Sequence, residues 1–113
     1  MNLIDVIDEV GSSTLEADRV GRWAMRALDA LGREDVELSV VLVTDERIRE
    51  LNRDYLGRDR PTNVISFPQQ EGEGPAGSHM GDVVISLDRA RREAMDAGIP
   101  VDERVKQLLV HGI

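Results

Sequence analysis

The sequence predicts an α/β domain in which helices pack on a small mixed sheet of four strands. Short apolar, β-branched runs alternate with longer stretches of helical periodicity. Only the connection between the third and fourth runs is too short to hold a helix, which indicates a mixed rather than a purely parallel sheet. No internal repeat or long linker divides the chain, so residues 1–113 are expected to form a single domain.

The strands are predicted where β-branched and apolar residues cluster. They are residues 3–7, 36–43, 64–67 and 82–86. The second run alternates in its first half and is apolar in its second, which is typical of a central strand. Pro68 closes the third strand, and the glycine-rich residues 69–80 predict a mobile loop before the fourth.

The first two helices are predicted from an apolar stripe and a capping signal. Before the first helix, Ser13 and Glu16 form a capping-box pattern, and Gly32 ends the helix. Its apolar stripe consists of Val20, Trp23, Ala24, Ala27, Leu28 and Leu31. Thr44 is the expected N-cap of the second helix. The buried stripe of that helix is predicted to be Ile48, Leu51 and Tyr55.

The third helix is predicted over residues 88–97, with Gly98 as its stop. Its inward positions are Ala90, Ala94 and Ala97. The last helix follows Pro100 and is predicted to be capped by Asp102. Its apolar positions are Val105, Leu108, Leu109 and Gly112. The helical pattern is still running at Ile113, so this helix is expected to be cut short.

The amino-acid composition excludes cysteine-based sites and argues against a secreted or membrane-spanning protein. There is no cysteine, which excludes disulfides, thiolate zinc sites and a cysteine nucleophile. The N-terminus has no signal-peptide pattern, and no apolar run approaches the roughly 20 residues that span a bilayer. We therefore expect a cytoplasmic protein with no membrane partner.

Charge is unevenly distributed along this acidic chain. The formal net charge is -8, which does not favour a general affinity for polyanions. Residues 1–18 carry five acidic and no basic side chains, whereas residues 47–60 carry five arginines and three acids. A nucleic acid, if one binds, is predicted to meet the second stretch, where Arg53, Arg58 and Arg60 are the candidate phosphate-binding residues.

His111, directly before Gly112, is the candidate for chemistry, and two interpretations of it are open. A histidine at the end of an apolar helical stretch can be a partly buried side chain with a satisfied hydrogen bond. It can also be a metal ligand, because two histidines four residues apart on a helix share a face and can bind one zinc ion. The partner would fall just beyond Ile113.

Four segments of the sequence help to decide between these two interpretations of His111. They are residues 51–55, 59–68, 81–86 and 108–112, and they contain the runs "PTNVISFP", "GDVVIS" and "LLVHG". In this order and spacing they resemble the YbeY family of bacterial proteins, regarded as metal-dependent endoribonucleases of ribosomal RNA maturation. The resemblance spans essentially the whole chain and is strongest from Leu51 onward.

The resemblance implies a zinc site that these residues hold only in part. In that family the closing helix carries His-Gly-x-x-His, and a third histidine follows six residues later. Only His111 matches, so it is the expected metal ligand and catalytic residue, with the remaining ligands of one zinc ion beyond Ile113. We expect this chain to bind zinc poorly, to be nearly inactive, and to associate through the uncovered helix end.

For the intact protein, the resemblance implies a zinc-dependent, single-strand-specific endoribonuclease that acts in 3′-end maturation of 16S ribosomal RNA and in ribosome quality control. Its implied partners are ribosomal RNA and the small ribosomal subunit or ribosome-associated proteins. Gly112 stands where zinc proteases of the His-Glu-x-x-His type have their general base, which disfavours that protease mechanism. A ribosome-associated binding module with a structural metal, or a zinc hydrolase with another substrate, are the alternatives.

Several other residues have two interpretations. Many family members have an arginine at the position of Leu56, and Arg53 or Arg58 is a possible replacement. These arginines can equally pair with Asp54 and Asp59.

Asp82 is a candidate either to orient a ligating histidine or to cap backbone amides. Structural roles are favoured for Thr62 and Asn63, and core packing is favoured for Trp23 and Tyr55.

Overall fold

The computed structural model describes residues 1–11, 17–69 and 79–113. The elements are β1 (Leu3–Asp8), α1 (Ala17–Ala30), β2 (Val36–Val43), α2 (Asp45–Leu56), β3 (Val64–Gln69), β4 (His79–Ser86), α3 (Leu87–Ala97) and α4 (Val101–Gly112). One sheet has the strand order β1-β2-β4-β3, with β1, β2 and β4 parallel and β3 antiparallel to β4. The predicted four-stranded mixed sheet of an α/β fold is thus confirmed.

The sheet separates two apolar layers of unequal size. On one face, α1, α3 and α4 pack on alternate residues of β2 and β4, including Val40, Leu42, Val83 and Ile85. On the other face, α2 covers a smaller cluster that includes Ile48. Alternation of side chains along β2 and β4 supplies both layers, as expected for central strands.

The starts of α2 and α3 are joined at the carboxyl ends of β2 and β4. Thr44 caps α2 as predicted, with its Oγ1 accepting from the Arg47 amide at 3.2 Å. Ser86, which is fully buried, caps α3 and donates from Oγ to Asp45 Oδ1 at 2.6 Å. The Asp45 amide donates to Asp88 Oδ2 at 2.8 Å. The bonds to the Arg47 and Asp45 amides satisfy donors that the start of α2 would otherwise leave unpaired.

The predicted cap of α4 is wrong. Pro100 occupies the N-cap position, and no side chain caps this helix. Asp102 instead pairs with Arg19 of α1, which lies 83 residues away in sequence. Proline is tolerated at the start of a helix because the amide it lacks has no partner inside the helix.

Three stripe positions predicted to be buried are exposed. They are Leu31, Tyr55 and Ala97. Each lies in the last turn of its helix or directly after it, where the helical period continues but the packing partner does not. Tyr55, which is 69% exposed, makes an edge-on ring contact with Phe67, with centroids 5.5 Å apart.

The hairpin between β3 and β4 is longer than predicted. Backbone pairing continues outward to Gln69 and Met80, so β4 begins three residues before Asp82. Pro68 lies within β3 and is accommodated because β3 is an edge strand. The rest of the predicted loop, residues 70–78, and the predicted capping box of Ser13 and Glu16 lie outside the described residues.

Within the described ranges, the longest helix has 14 residues, and none is long and apolar enough to cross a membrane.

Candidate functional site

The His-Gly pair lies where the last turn of α4 closes onto the sheet. A Cβ on Gly112 would lie 2.8 Å from Val83 Cγ1 and 3.1 Å from Val64 Cγ2, so only glycine permits this approach. Ser66 Oγ donates to the Gly112 carbonyl at 2.6 Å, which ties the helix end to β3. The position of the His111 backbone is therefore set by a close helix–strand contact.

His111 itself is exposed at this helix end. Arg104, Gln107 and His111 follow one another at steps of three and four residues and so share a face of α4. Arg104 donates from Nη1 to Gln107 Oε1 at 2.8 Å and pairs with Glu93 of α3 at 2.9 Å. The imidazole thus belongs to the side of α4 that faces α3.

The described residues do not form a complete zinc site. No cluster of three or more histidine, cysteine or carboxylate side chains able to hold a metal occurs in the part of the chain that the structure describes. His79, the second histidine, begins β4, and its backbone lies four residues from Val83, about 13 Å along the strand. One imidazole does not supply the three ligands that catalytic zinc usually takes.

A polar cleft of about 490 Å³ lies between the loop after α2, the edge strand β3 and helix α3. Its lining residues include Leu56, Arg58, Arg60, Thr62, Asn63, Ser66, Arg89 and Glu93. Ser66 belongs to this lining and also holds the Gly112 carbonyl. The cleft and the His111 helix end therefore meet at one side chain.

The loop that carries Arg58 and Arg60 is held from beneath by the buried Asn52. Asn52 donates from Nδ2 to the Arg60 carbonyl at 2.8 Å, and its own carbonyl accepts from the Arg58 amide at 3.1 Å. Gly57 makes the turn with φ of 71°, a left-handed conformation that glycine adopts readily. Two exposed arginines are thereby presented on an ordered loop.

An ion pair outside the cleft also holds this loop. Arg49 donates to both oxygens of Asp59, at 2.8 and 3.3 Å, and this bond lowers the pKa of the Asp59 carboxyl. Asp59 lies between Arg58 and Arg60 in sequence. Because its carboxylate is paired with Arg49, it does not compete with an anionic ligand for those two arginines. Neither Arg58 nor Arg60 has an ion-pair partner among the described residues.

The third arginine predicted to bind RNA lies apart from the other two. Arg53 Nε donates to Asp54 Oδ1 at 3.0 Å, and this contact raises the pKa of the guanidinium. Arg53 is not in the cleft lining. Its role in RNA binding stays a prediction. Arg58 lines the cleft, so it is better placed than Arg53 to replace the arginine that many family members have at the position of Leu56.

Asp82 lies on the wrong face of the sheet to orient His111. Its neighbour Val83 faces Gly112, and side chains alternate along a strand. Asp82 lines an apolar groove on the α2 side together with Tyr55 and Phe67. The hypothesis that Asp82 supports a ligating histidine is therefore wrong.

Asn63, at the start of β3, has the structural role that was favoured for it. Its carbonyl accepts from the Ser86 amide at 2.9 Å, and its Nδ2 approaches both oxygens of Glu93 at 3.4 Å.

Sequence reasoning missed Arg89, Glu93 and Arg104. Arg89 and Glu93 line the cleft, and Glu93 connects Asn63 to Arg104. Arg89 pairs with Asp45 at 3.5 Å, although its buried Nε makes no hydrogen bond to any residue that the structure describes. No local signal marks these residues, since each acts through a contact with a distant segment.

The fold and site define a small α/β protein with an arginine-lined cleft beside a histidine at a helix end. The family model described as Endoribonuclease YbeY matches residues 6–113. An Endoribonuclease YbeY from Aquifex aeolicus is 45% identical over 108 residues, covering 96% of this chain and 71% of the relative. One from Syntrophotalea carbinolica is 40% identical over 116 residues, covering 100% and 77%. The chain belongs to the Endoribonuclease YbeY family.

The fraction of each relative's length that this chain covers varies. The chain spans 64% of the Endoribonuclease YbeY of Geobacter sulfurreducens, with 53% identity over 96 residues. Among solved structures, the solution structure of TM1509 from Thermotoga maritima superposes with a TM-score of 0.62 at 24% identity. The match covers 99% of this chain and 69% of that one, and it supports the fold.

Proposed function

We propose that this protein is an endoribonuclease that binds single-stranded RNA in the cleft beside His111. One observation carries the proposal: Arg58 and Arg60, without ion-pair partners in the described ranges, line a cleft whose Ser66 holds the end of the His111 helix. Guanidinium groups bind phosphate through a planar fork of donors. Relatives named Endoribonuclease YbeY support the reaction class.

In this proposal the residues of the chain bind and position the RNA. Arg58 and Arg60 hold backbone phosphates on a loop that Asn52 and the Arg49–Asp59 pair keep in place. The Gly112 contact fixes where His111 stands relative to that loop. An ordered site of this kind reduces the entropy that substrate binding would otherwise cost.

The zinc dependence that the resemblance implies is part of the proposal. His111 would be one ligand, and the described residues do not supply the others. Two further histidines, at the fourth and tenth positions after His111, would complete a three-histidine site. Zinc so held would supply an activated water and an electrophile for phosphodiester cleavage.

The biological role is proposed on the family resemblance alone. It is 3′-end maturation of 16S ribosomal RNA and ribosome quality control in the cytoplasm, with ribosomal RNA and the small subunit or its associated proteins as partners. A ribosome-binding module with a structural metal is the second candidate, because the acidic N-terminal stretch, which repels RNA, suits a protein partner. Co-sedimentation of the His111→Ala variant with ribosomes would favour this second candidate.

The cleft is tested by RNA affinity. Arg58→Gln combined with Arg60→Gln should weaken binding of a single-stranded oligoribonucleotide, with EDTA present to prevent cleavage. The slope of log K against log salt should become shallower by about 1.4, from about 0.7 for each phosphate contact. Arg33→Gln with Arg47→Gln removes the same charge elsewhere and should change little. Equal affinity in both double variants would contradict the proposed cleft.

A further inference from the structure

A second group of cations without ion-pair partners lies away from the cleft, on the helical layer. The Trp23 patch is a concave surface between α1 and α4, lined by Trp23, Arg26, Ala27, Lys106 and Val110. Within the described ranges, neither Arg26 nor Lys106 has an ion-pair partner. By contrast, seven arginines in the same ranges are paired with carboxylates.

Trp23, the one tryptophan of the sequence, forms the aromatic wall of this patch. Lys106 Nζ lies 5.1 Å from its ring centroid, and the Arg19 guanidinium carbon lies 5.3 Å away. The charge of Arg19 is matched by Asp102, whereas no carboxylate in the described ranges pairs with Lys106. Trp23 is half-buried, so part of the indole reaches the surface beside an ammonium group that has no carboxylate partner among the described residues.

The rest of the patch is apolar and open. Val110 is 55% exposed, and Ala27 is half-buried beside it. An aromatic and apolar wall flanked by two cations that have no carboxylate partner in the described ranges is the combination that binds single-stranded nucleic acid, since bases pack on the wall and phosphates meet the cations. A purely apolar partner would leave both cations unpaired, which makes it a poorer match.

The patch flanks the histidine on the side opposite to Arg104. Lys106 and Val110 are four residues apart and share the face of α4 that contacts α1. Arg104 and His111 share the face toward α3. Since Val110 directly precedes His111, a strand leaving the cleft past His111 would reach this patch within about two helical turns.

We infer that the Trp23 patch is a second binding site for single-stranded RNA, engaging the same strand whose other part lies in the Arg58–Arg60 cleft. The inference rests on the proposed endoribonuclease function. Arg26 and Lys106 bind phosphates there, and one base packs against Trp23 and Val110. The cleft and the patch thus hold the RNA on both sides of His111.

Trp23 supplies its own reporter for the test. An oligoribonucleotide of about 16 nucleotides is titrated with EDTA present, and binding is followed both by fluorescence anisotropy of labelled RNA and by Trp23 emission. In the parent protein both signals should change with the same dissociation constant. In the variant combining Arg26→Gln with Lys106→Gln, the Trp23 change should be lost and the salt slope should be shallower by about 1.4.

Two controls separate the patch from the cleft. Arg33→Gln with Arg47→Gln should leave both signals as in the parent. Arg58→Gln with Arg60→Gln should weaken binding yet keep the Trp23 change at saturation. RNA binding seen by anisotropy with no Trp23 change, or equal slopes in the patch and control variants, would overturn the second site and leave the cleft standing. No RNA binding to the parent would overturn both.

Discussion

At the scale of single residues, the close contact of Gly112 with the sheet sets the position of the His111 backbone. A helix interior normally disfavours glycine, by about 1 kcal/mol relative to alanine. At this position the missing Cβ lets α4 contact Val83 and Val64, and Ser66 closes the contact. The sequence showed a His-Gly pair at a helix end, whereas the physical reason for glycine lies in strands 29 and 48 residues earlier.

Gly112→Ala should therefore destabilise the protein and displace the helix end. The new Cβ would meet Val83 Cγ1 at 2.8 Å, and Val83 is only 2% exposed, so it has little room to yield. We expect a loss of about 1–3 kcal/mol in the free energy of unfolding, measured in urea. Gly21→Ala is the matched control, because its Cβ would lie 3.6 Å from Val6 and should be neutral or stabilising. Equal stability of the two variants would contradict this account.

The Arg49–Asp59 pair gives a residue-scale prediction with a sign. The Asp59 carboxyl has a lower pKa in the folded protein than in the unfolded one, because Arg49 donates to it. Its contribution to stability is therefore present at neutral pH and is lost as pH falls through the lowered pKa. The stability difference between the parent and Asp59→Asn, measured from pH 7 downward by urea unfolding, should stay constant and then shrink in acid. A difference that grows in acid would contradict the sign.

At the scale of elements, the cleft depends on the loop between α2 and β3. Asn52 is 3% exposed and supports this loop through its bond to the Arg60 carbonyl. Gly57 ends α2 and lets the chain turn toward the cleft. The loop is ordered by its backbone and by a buried amide, so its two arginines are free to meet a ligand.

Asn52→Ala should cost stability and RNA affinity together. The variant leaves the Arg60 carbonyl without the donor of a partly buried hydrogen bond, which should lower the free energy of unfolding by about 1–3 kcal/mol. Loosening of the loop should also weaken RNA binding in the anisotropy assay. Asn2→Ala is the control, because it removes another buried amide, which donates to the Arg33 carbonyl outside the cleft lining, and should lower stability without changing RNA affinity. Unchanged affinity in Asn52→Ala would show that the loop is ordered without this contact.

The elements that sequence predicted well are those with local signals. The range of β2 and the Thr44 cap of α2 were predicted to the residue, and Gly98 was identified as the stop of α3. Alternation and capping are properties of adjacent residues, so they can be read without a structure. The predicted Asp102 cap failed because a distant side chain, Arg19, competes for that carboxylate.

At the scale of the whole molecule, the cleft is assembled from segments that sequence alone does not bring together. Arg58 and Arg60 were predicted from local charge, but Glu93 and Arg89 come from α3 and carry no motif. The face on which Asp82 lies also depends on strand register, because a shift of one residue would move every side chain of β4 to the opposite face of the sheet. The structure thus places two of the three predicted arginines, Arg58 and Arg60, in the cleft, whereas its far wall on α3 was not predicted.

The 113-residue chain should bind zinc weakly. Only His111 is placed to act as a ligand in the described part of the chain, and a single imidazole holds zinc loosely. Titration with zinc against a competing chromogenic chelator should give no stoichiometric binding. Tight binding of one ion that is abolished by His79→Ala would contradict the assignment, since it would require a ligand that the proposed site does not use.

The central claim is that His111 and the neighbouring cleft form the active site of an endoribonuclease. The most direct measurement is cleavage of single-stranded RNA by a chain extended past Ile113 with two histidines at the fourth and tenth positions after His111. We expect about one zinc ion per chain and cleavage that is lost in His111→Ala. Cleavage by the His111→Ala variant at the rate of its parent would contradict the claim.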